Sequence, residues 1–135
     1  MRLTWFDSNS WLIEVGDQRI LLDPWFVGPL VFGNATWLLK GEKNRQFPIP
    51  TDLSLLLLSQ GLEDHAHPPT LQQLDPQLPV VASANGAKVV KNLGFQKTTT
   101  LLPGQTFILN NQVEIRAFAG SLIGPNLVEN AYLLT

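Results

Sequence analysis

The 135-residue sequence contains no cysteine, one tyrosine and only two histidines, and charged residues make up 15% of it. The absence of cysteine excludes disulfide bonds, thiolate nucleophiles and thiolate zinc sites. Any metal site must therefore be built from His, Asp and Glu side chains. The net charge of -2 gives no electrostatic reason to expect nucleic acid or an anionic membrane as a partner.

Long apolar runs are also missing. No run approaches the roughly 20 residues that a membrane-spanning helix needs, and residues 1–8 lack the apolar stretch of a secretory signal. We therefore expect a cytoplasmic protein. With 44% apolar residues, a chain of this length can build one core, so residues 1–135 are predicted to form a single domain.

The first part of the chain is typical of an antiparallel meander. Branched and aromatic residues predict strands over residues 3–6, 11–15 and 18–22, and Pro24 ends the third strand. Residues 25–50 are predicted to form a long ordered loop rich in aromatic side chains. Such loops are often lids or substrate-binding elements, although the aromatic residues could instead only pin the loop to the protein body.

The rest of the chain alternates between strands and helices before returning to strands. A continuous apolar run over residues 53–58 indicates a strand buried on both faces. Two strand-helix units in succession predict a mixed sheet with helices on one face, in an α+β or layered α/β fold. The remaining predicted elements are helices over 68–74 and 85–93, strands over 79–82, 98–102, 105–109, 113–119 and 130–134, and a glycine-bounded loop over 120–125.

A polar loop follows the buried strand and holds both histidines of the chain, His65 and His67, beside Glu63 and Asp64. Functional sites often lie at strand ends, because the rigid strand fixes where the side chains of the loop point. The loop therefore suggests metal binding or acid-base chemistry. The alternative is structural, since Asp64 near a helix start can accept backbone N-H groups and favour the helix dipole.

The meander ending in Asp23-Pro24, the buried strand and the Asp64-His65 pair before a helix together resemble the amino-terminal half of the metallo-β-lactamase superfamily. Residues 59–65, with Gly124-Pro125 and the run over residues 129–132, are similar to an uncharacterised branch known from cyanobacteria and plants. The resemblance implies one half of an αββα sandwich and a zinc-dependent hydrolase ancestry. Because the chain stops one residue after its last strand, we expect it to be truncated.

The superfamily signature His-any-His-any-Asp-His aligns with residues 60–65. Asp64 and His65 are retained, but Gln60 and Leu62 stand where the first two histidines would be. A third histidine would be expected after residue 119, and residues 120–125 contain none. The resemblance therefore implies that the first of two metal sites is lost.

What remains implies either one divalent metal, with zinc the first choice, or no metal. Asp64, His65 and His67 are the predicted ligands, and Asp64 is also the predicted catalytic residue. The supporting residues are predicted to be Asp23 and Gln60. The predicted loop and substrate residues are Trp25, Phe26, Trp37 and Ser121.

We therefore expect a hydrolase-like protein with a degenerate metal site and doubtful activity, acting on an unknown small molecule. The alternative is a non-catalytic module that binds a small molecule or a protein on the same scaffold. Half a sandwich would leave a large apolar area on one face of its main sheet. This predicts either a two-fold homodimer or a missing carboxyl-terminal half.

Overall fold

The structure is a computed structural model that describes residues 1–31, 40–43, 45–122 and 128–135, with Lys40 and Ser121 described by their backbone alone. It contains short strands and two helices. The strands are β1 (Arg2–Trp5), β2 (Trp11–Val15), β3 (Gln18–Leu22), β4 (Leu30–Val31), β5 (Lys40–Gly41), β6 (Leu55–Leu58), β7 (Val80–Ala82), β8 (Thr98–Thr100), β9 (Thr106–Leu109), β10 (Val113–Leu122) and β11 (Val128–Leu134). The helices are α1 (Pro68–Leu71) and α2 (Ala84–Asn92).

The main sheet has six strands in the order β1-β2-β3-β6-β7-β8. The meander β1-β2-β3 is antiparallel, whereas β3, β6, β7 and β8 run parallel to one another. The parallel pairs follow from the two strand-helix units, because a parallel neighbour needs a crossover connection. A second antiparallel sheet has the order β11-β10-β9, and β4 pairs with β5. The mixed sheet predicted from the sequence is confirmed.

Strand β6 lies between two cores, and its four leucines are completely buried. Leu56 and Leu58 pack in the cluster that contains Leu71 of α1 and Ala87 and Val90 of α2. Leu55 and Leu57 pack in a second cluster, with residues of β9 and β10. Side chains alternate between the faces of a strand, so an all-leucine strand fits a position between a helical layer and a second sheet.

Helix α2 has clear start and stop signals. The Ser83 side chain accepts a hydrogen bond from the backbone N-H of Gly86 at 3.1 Å, which caps the first turn. Gly94, with φ +92°, follows the helix and allows the left-handed turn that ends it. Helix α1 is a single turn that begins with the two prolines. None of the described helices is long and apolar enough to cross a membrane.

Two predictions about the long loops need correction. The predicted loop over 25–50 contains the short strands β4 and β5, and residues 32–39 and 44 lie outside the described residues. Strand β10 continues to Leu122 instead of ending at Ala119, with an irregularity in its pairing to β11 between these two residues. Glycine is needed at position 120, because a Cβ atom there would come within 2.8 Å of the Asn130 backbone.

Exposed apolar side chains lie on one face of the second sheet and also on the edge strand β1 of the main sheet, where Leu3 and Trp5 are exposed. The sequence predicted the exposed apolar area on a face of the main sheet. Both faces of β6 are covered, by the helical layer and by the second sheet. Side chains of β9, β10 and β11 that point away from this core are exposed. They are Ile108, Phe118, Leu122, Val128 and Leu133.

Candidate functional site

A cluster of polar side chains lies where β3 and β6 end. The two strands are parallel and adjacent, so Asp23 and Ser59, each the first residue after its strand, lie side by side. The backbone N-H of Asp23 donates to the carbonyl of Leu57 at 3.1 Å, which extends the pairing to the strand ends. Crevices outside the carboxyl ends of parallel strands are common ligand sites in α/β proteins.

The Asp23 carboxylate is the centre of this cluster and is only 4% exposed. It accepts hydrogen bonds from the Ser59 backbone N-H at 2.8 Å and from the Ser59 hydroxyl at 2.5 Å. A third partner is His65 Nδ1, at 2.7 Å from Asp23 Oδ2. Asp23 has φ +45°, so the chain adopts the left-handed conformation there. The burial of this carboxylate is thus compensated by three donors.

The His65 ring is fixed from both sides. Because the Asp23 carboxylate can only accept, Nδ1 carries a proton and donates it. Nε2 lies 3.2 Å from the amide nitrogen of Asn9, which donates to it when the ring is neutral. Burial lowers the pKa of His65, but the Asp23 hydrogen bond and the charges of Asp23, Asp64 and Glu129 outweigh burial, so the pKa is raised above 6.5.

Asp64 lies beside Nε2 of His65. Its Oδ2 atom is 3.5 Å from His65 Nε2, and the Asn9 amide nitrogen lies 3.3 Å from Asp64 Oδ2 and 3.3 Å from the Asp64 carbonyl oxygen. The other carboxylate oxygen, Oδ1, is buried without a hydrogen-bond partner. A buried acceptor that lacks a partner is costly, and it often marks a place for an ion or water.

Glu129 supplies a second buried carboxylate near this cluster. It is 2% exposed, its Oε1 atom accepts from the Asn85 amide at 2.8 Å, and its Oε2 atom is buried without a hydrogen-bond partner. Gly61 allows the close approach of the loop to α2, because a Cβ atom there would come within 2.7 Å of the Asn85 Cβ. The loop after β6 therefore fits against Asn85 and Glu129.

His67 is held separately from His65. Its Nε2 atom lies 3.2 Å from the Pro29 carbonyl oxygen, and its Nδ1 atom lies 3.0 Å from the Thr70 hydroxyl. Because a carbonyl only accepts, Nε2 carries the proton and Nδ1 accepts from Thr70. Thr70 Oγ1 in turn accepts from the Phe26 backbone N-H at 2.8 Å. Burial, the largest cause, and the charge of Lys43 lower the pKa of His67 below 6.5.

The predicted loop residues Trp25 and Phe26 are buried at 6% and 3% exposure. Trp25 donates its indole N-H to the Gly28 carbonyl at 3.0 Å, and the Phe26 ring packs 5.1 Å from the Phe6 ring. These contacts favour the interpretation that the aromatic residues pin the segment to the body. Trp37 and the Ser121 side chain lie outside the described residues, and Gln60 is half-buried next to Ser59.

A cavity of about 410 Å³ opens beside this aromatic segment. Phe26, Pro29, Lys43 and Phe47 are among the residues that line it. The Lys43 ammonium donates to the Phe6 carbonyl at 2.9 Å and lies within 5.2 to 5.6 Å of the centres of three aromatic rings. Burial lowers the pKa of Lys43, partly offset by the charge of Asp7.

The polar cluster offers two of the ligands that a metal ion would need. Ligand atoms of a tetrahedral zinc ion, with bonds of about 2.1 Å, lie roughly 3.4 Å apart, and Asp64 Oδ2 and His65 Nε2 are 3.5 Å apart. His65 Nδ1 donates to the Asp23 carboxylate. Metal-binding histidines usually donate their other ring N-H in this way, which orients the ring. Among the described residues, however, no three His, Asp or Glu side chains form a group that could hold a metal ion.

Comparison with known proteins identifies the family. The family described as "Beta-lactamase superfamily domain" matches residues 2–126. The chain belongs to this superfamily. The structure has the mixed sheets and few helices of the metallo-β-lactamase fold, and similar solved structures include metallo-hydrolases of this fold.

The solved structures to which the superfamily domain is similar include hydrolases and a hydroxylase. The isothiocyanate hydrolase from Delia radicum gut bacteria has a TM-score of 0.73 and 15% identity, over 100% of this chain and 58% of that one. A metallo hydrolase from Ignicoccus hospitalis has a TM-score of 0.66 and 18% identity, over 98% and 55%. CmlA, a diiron beta-hydroxylase from Streptomyces venezuelae, has a TM-score of 0.67 and 16% identity, over 98% and 27%.

Among curated proteins, the superfamily domain is similar to the cytidine monophosphate-N-acetylneuraminic acid hydroxylase of Cricetulus griseus. The two are 28% identical over 96 residues, which is 69% of this chain and 17% of the hydroxylase. The chain thus matches about a sixth of the length of that relative. Both hydrolysis and hydroxylation occur among proteins similar to this domain, so the fold alone does not specify the reaction.

Sequence reasoning missed three residues of the cluster. Ser59 could have been found from its position directly after a buried strand. Glu129 could have been noticed as a charged residue within a strand-like run. Asn9 had no such signal, because it lies in a turn 56 positions before His65.

Proposed function

We propose that this chain is a hydrolase-like domain of the metallo-β-lactamase fold with a degenerate metal site. In this proposal, Asp64 and His65 hold at most one divalent ion, with zinc the first choice. The observation that carries it is the 3.5 Å separation of Asp64 Oδ2 and His65 Nε2, with His65 oriented by Asp23. This arrangement supports one ion and leaves Gln60 and Leu62 at the positions of the other ion.

The small number of metal ligands also supports the proposal of doubtful activity. A catalytic zinc ion usually has about three protein ligands and an open position, and it supplies an activated water or polarises the substrate. The described residues bring two such ligands together, because the Asp23 carboxylate is bonded to His65 Nδ1 and Ser59 and the Glu129 carboxylate to Asn85. We therefore propose that the described residues do not complete a hydrolytic centre by themselves. In this proposal, the further ligands come from outside the described residues.

Metal content tests this proposal. The protein would be purified without chelator and its zinc, iron and manganese measured by elemental mass spectrometry, before and after dialysis against zinc chloride. We expect one equivalent of zinc after this dialysis, which is lost in His65→Ala and in Asp64→Asn. Two equivalents, one equivalent that remains in both variants, or no bound zinc would contradict the proposed site.

Two further variants serve as controls. Asp52→Asn changes an exposed aspartate that, like Asp23, has a positive φ, and its zinc content should equal that of the wild type. His67→Gln tests the third predicted ligand. Because the two ring nitrogens of His67 contact Thr70 and Pro29, we expect zinc to be retained in folded His67→Gln protein, as monitored by circular dichroism.

A second candidate function is a non-catalytic module that binds a small molecule in the cavity beside the aromatic segment. The observation that favours it is a lysine among aromatic walls, since Lys43 and Phe26 both line this cavity. A cation surrounded by aromatic side chains suits an anion with an apolar body. We expect the fluorescent anion 8-anilinonaphthalene-1-sulfonate to bind saturably and Lys43→Gln to weaken its binding about tenfold. Equal binding by both proteins would count against this candidate.

A further inference from the structure

We propose that the Asn9 side chain is a built-in competitor for the divalent ion at Asp64 and His65. Its amide group donates hydrogen bonds to the acceptor atoms that the ion would need as ligands, so the ion binds only when the Asn9 side chain moves away. This inference rests on the proposed metal site and adds a residue that controls it. Asn9 comes from the turn between β1 and β2, far in sequence from both ligands.

Three contacts of one atom carry the proposal. The Asn9 amide nitrogen lies 3.2 Å from His65 Nε2, 3.3 Å from Asp64 Oδ2 and 3.3 Å from the Asp64 carbonyl oxygen. The two Asp64 atoms can only accept hydrogen bonds, so the amide NH2 group, not the amide oxygen, faces this site. The amide therefore presents donors to atoms that would otherwise face a cation.

Competition follows from the number of lone pairs. A neutral imidazole has one nitrogen that can accept or coordinate, and in His65 this is Nε2, because Nδ1 donates to Asp23. The single lone pair of Nε2 cannot accept from Asn9 and coordinate an ion at the same time. Asp64 keeps further lone pairs, including those of its buried Oδ1 atom. His65 is therefore the ligand for which Asn9 and the ion compete.

The turn that carries Asn9 is well defined. Asp7 and Ser8 both have positive φ angles, of 78° and 50°, and the Ser8 backbone N-H donates to Asp7 Oδ1 at 2.8 Å. The indole N-H of Trp5 donates to the Ser8 carbonyl at 3.0 Å. These contacts hold the backbone next to Asn9, so the ion must displace the side chain rather than the whole turn.

Two substitutions test whether Asn9 competes with the ion or instead holds Asp64 and His65 in place for it. Asn9→Ala removes the amide, and we expect zinc to bind about tenfold more tightly, the effect of one lost hydrogen bond to a charged or polar acceptor. Asn9→Asp replaces the donor with a carboxylate, a third ligand, so we expect a gain larger than that of Asn9→Ala. If Asn9 instead supported the ligands, Asn9→Ala would bind zinc more weakly.

The experiment is a zinc chloride titration in competition with a chromogenic chelator, on wild type, Asn9→Ala, Asn9→Asp, His65→Ala and the double variant Asn9→Ala/His65→Ala. The gain of Asn9→Ala should disappear in the double variant. Asn92→Ala is the control, because Asn92 is an exposed amide in the last turn of α2, at the opposite end of this helix from Asn85. Its zinc affinity should equal that of the wild type. Asn9→Ser, whose shorter side chain cannot reach His65, replaces Asn9→Ala if circular dichroism shows that the latter is unfolded.

The outcomes distinguish this inference from the proposed function. If His65→Ala abolishes zinc binding but Asn9→Ala binds no more tightly than wild type, the competition is overturned and the site stands. If wild type, His65→Ala and the double variant all bind zinc equally, or if no variant binds it, the proposed site fails and the inference fails with it. A gain in Asn9→Ala that persists in the double variant places the ion elsewhere and overturns the inference.

Discussion

His65 Nδ1 lies 2.7 Å from Asp23 Oδ2, and this contact connects the loop after β6 to the end of β3. Asp23 therefore acts on the site through His65, whose ring it orients and whose proton position it determines. The same carboxylate accepts two hydrogen bonds from Ser59. One buried group thus organises the strand ends as well as the ring, and it should contribute to stability whether or not a metal binds.

Replacing Asp23 should destabilise the protein. Asp23→Asn retains one acceptor oxygen but places an amide against donors, so bonds to Ser59 and His65 are lost inside the protein. We expect the free energy of unfolding to fall by about 3 kcal/mol, measured by urea denaturation of metal-free protein. Asp52→Asn is the control and should change the free energy by less than about 0.5 kcal/mol, because Asp52 is exposed. Equal stability of Asp23→Asn and wild type would contradict this role.

The lowered pKa of His67 predicts a specific pH dependence. Well above pH 6.5 the imidazole is neutral in both the folded and the unfolded protein. As the pH falls below 6.5, the unfolded chain takes up a proton before the folded one does, so stability falls until the lowered pKa is passed. We therefore expect the stability difference between wild type and His67→Gln to shrink on acidification. Urea denaturation from pH 7.5 to 5.0 measures it, and a difference that grows would contradict the prediction.

Gly61 is the point at which the loop after β6 approaches α2. Gly61→Ala would place a methyl group 2.7 Å from the Asn85 Cβ and 2.8 Å from the Asn85 carbonyl carbon, and the latter is backbone that cannot turn aside. We expect a loss of about 2 kcal/mol and altered NMR chemical shifts at Asp64 and His65. Gly28→Asn is the control, since a Cβ atom at Gly28 meets open space and Asn tolerates its positive φ.

The exposed face of the second sheet predicts association. Phe118 and Leu133 are 46% and 50% exposed on neighbouring strands, and apolar patches of this kind commonly mark interfaces. We propose that a second copy or a carboxyl-terminal half covers this face. Residues 1–135 alone should then self-associate at micromolar concentration in light scattering after size exclusion, and Phe118→Thr/Leu133→Thr should be monomeric.

The matched control for association is Leu3→Thr/Trp5→Thr. Leu3 and Trp5 are 54% and 55% exposed, but they lie on the edge strand β1 of the main sheet. Their replacement should leave self-association unchanged. A wild-type chain that is monomeric at these concentrations would count against pairing through the second sheet.

The sequence predicted most of the elements because their signals are local. The aromatic and branched runs of the meander, the apolar run of β6 and the proline and glycine boundaries of the helices each fall within about ten residues. The errors lie where local signals are weak. Gly120 and Ser121 look like a loop, but pairing with β11 carries β10 past them to Leu122. That pairing depends on both strands, so it cannot be predicted from the sequence of one of them.

The sequence by itself determined the family and the layered fold. Only the tertiary structure decided which polar side chains meet. It brings Asn9 and Asp23, which precede His65 by 56 and 42 positions, to the two nitrogens of its ring, and it directs His67 to Pro29 and Thr70 instead. The physical reason is that hydrogen-bond partners are selected by the convergence of strand ends and turns in space, whereas hydrophobic periodicity records only which face of each element is buried.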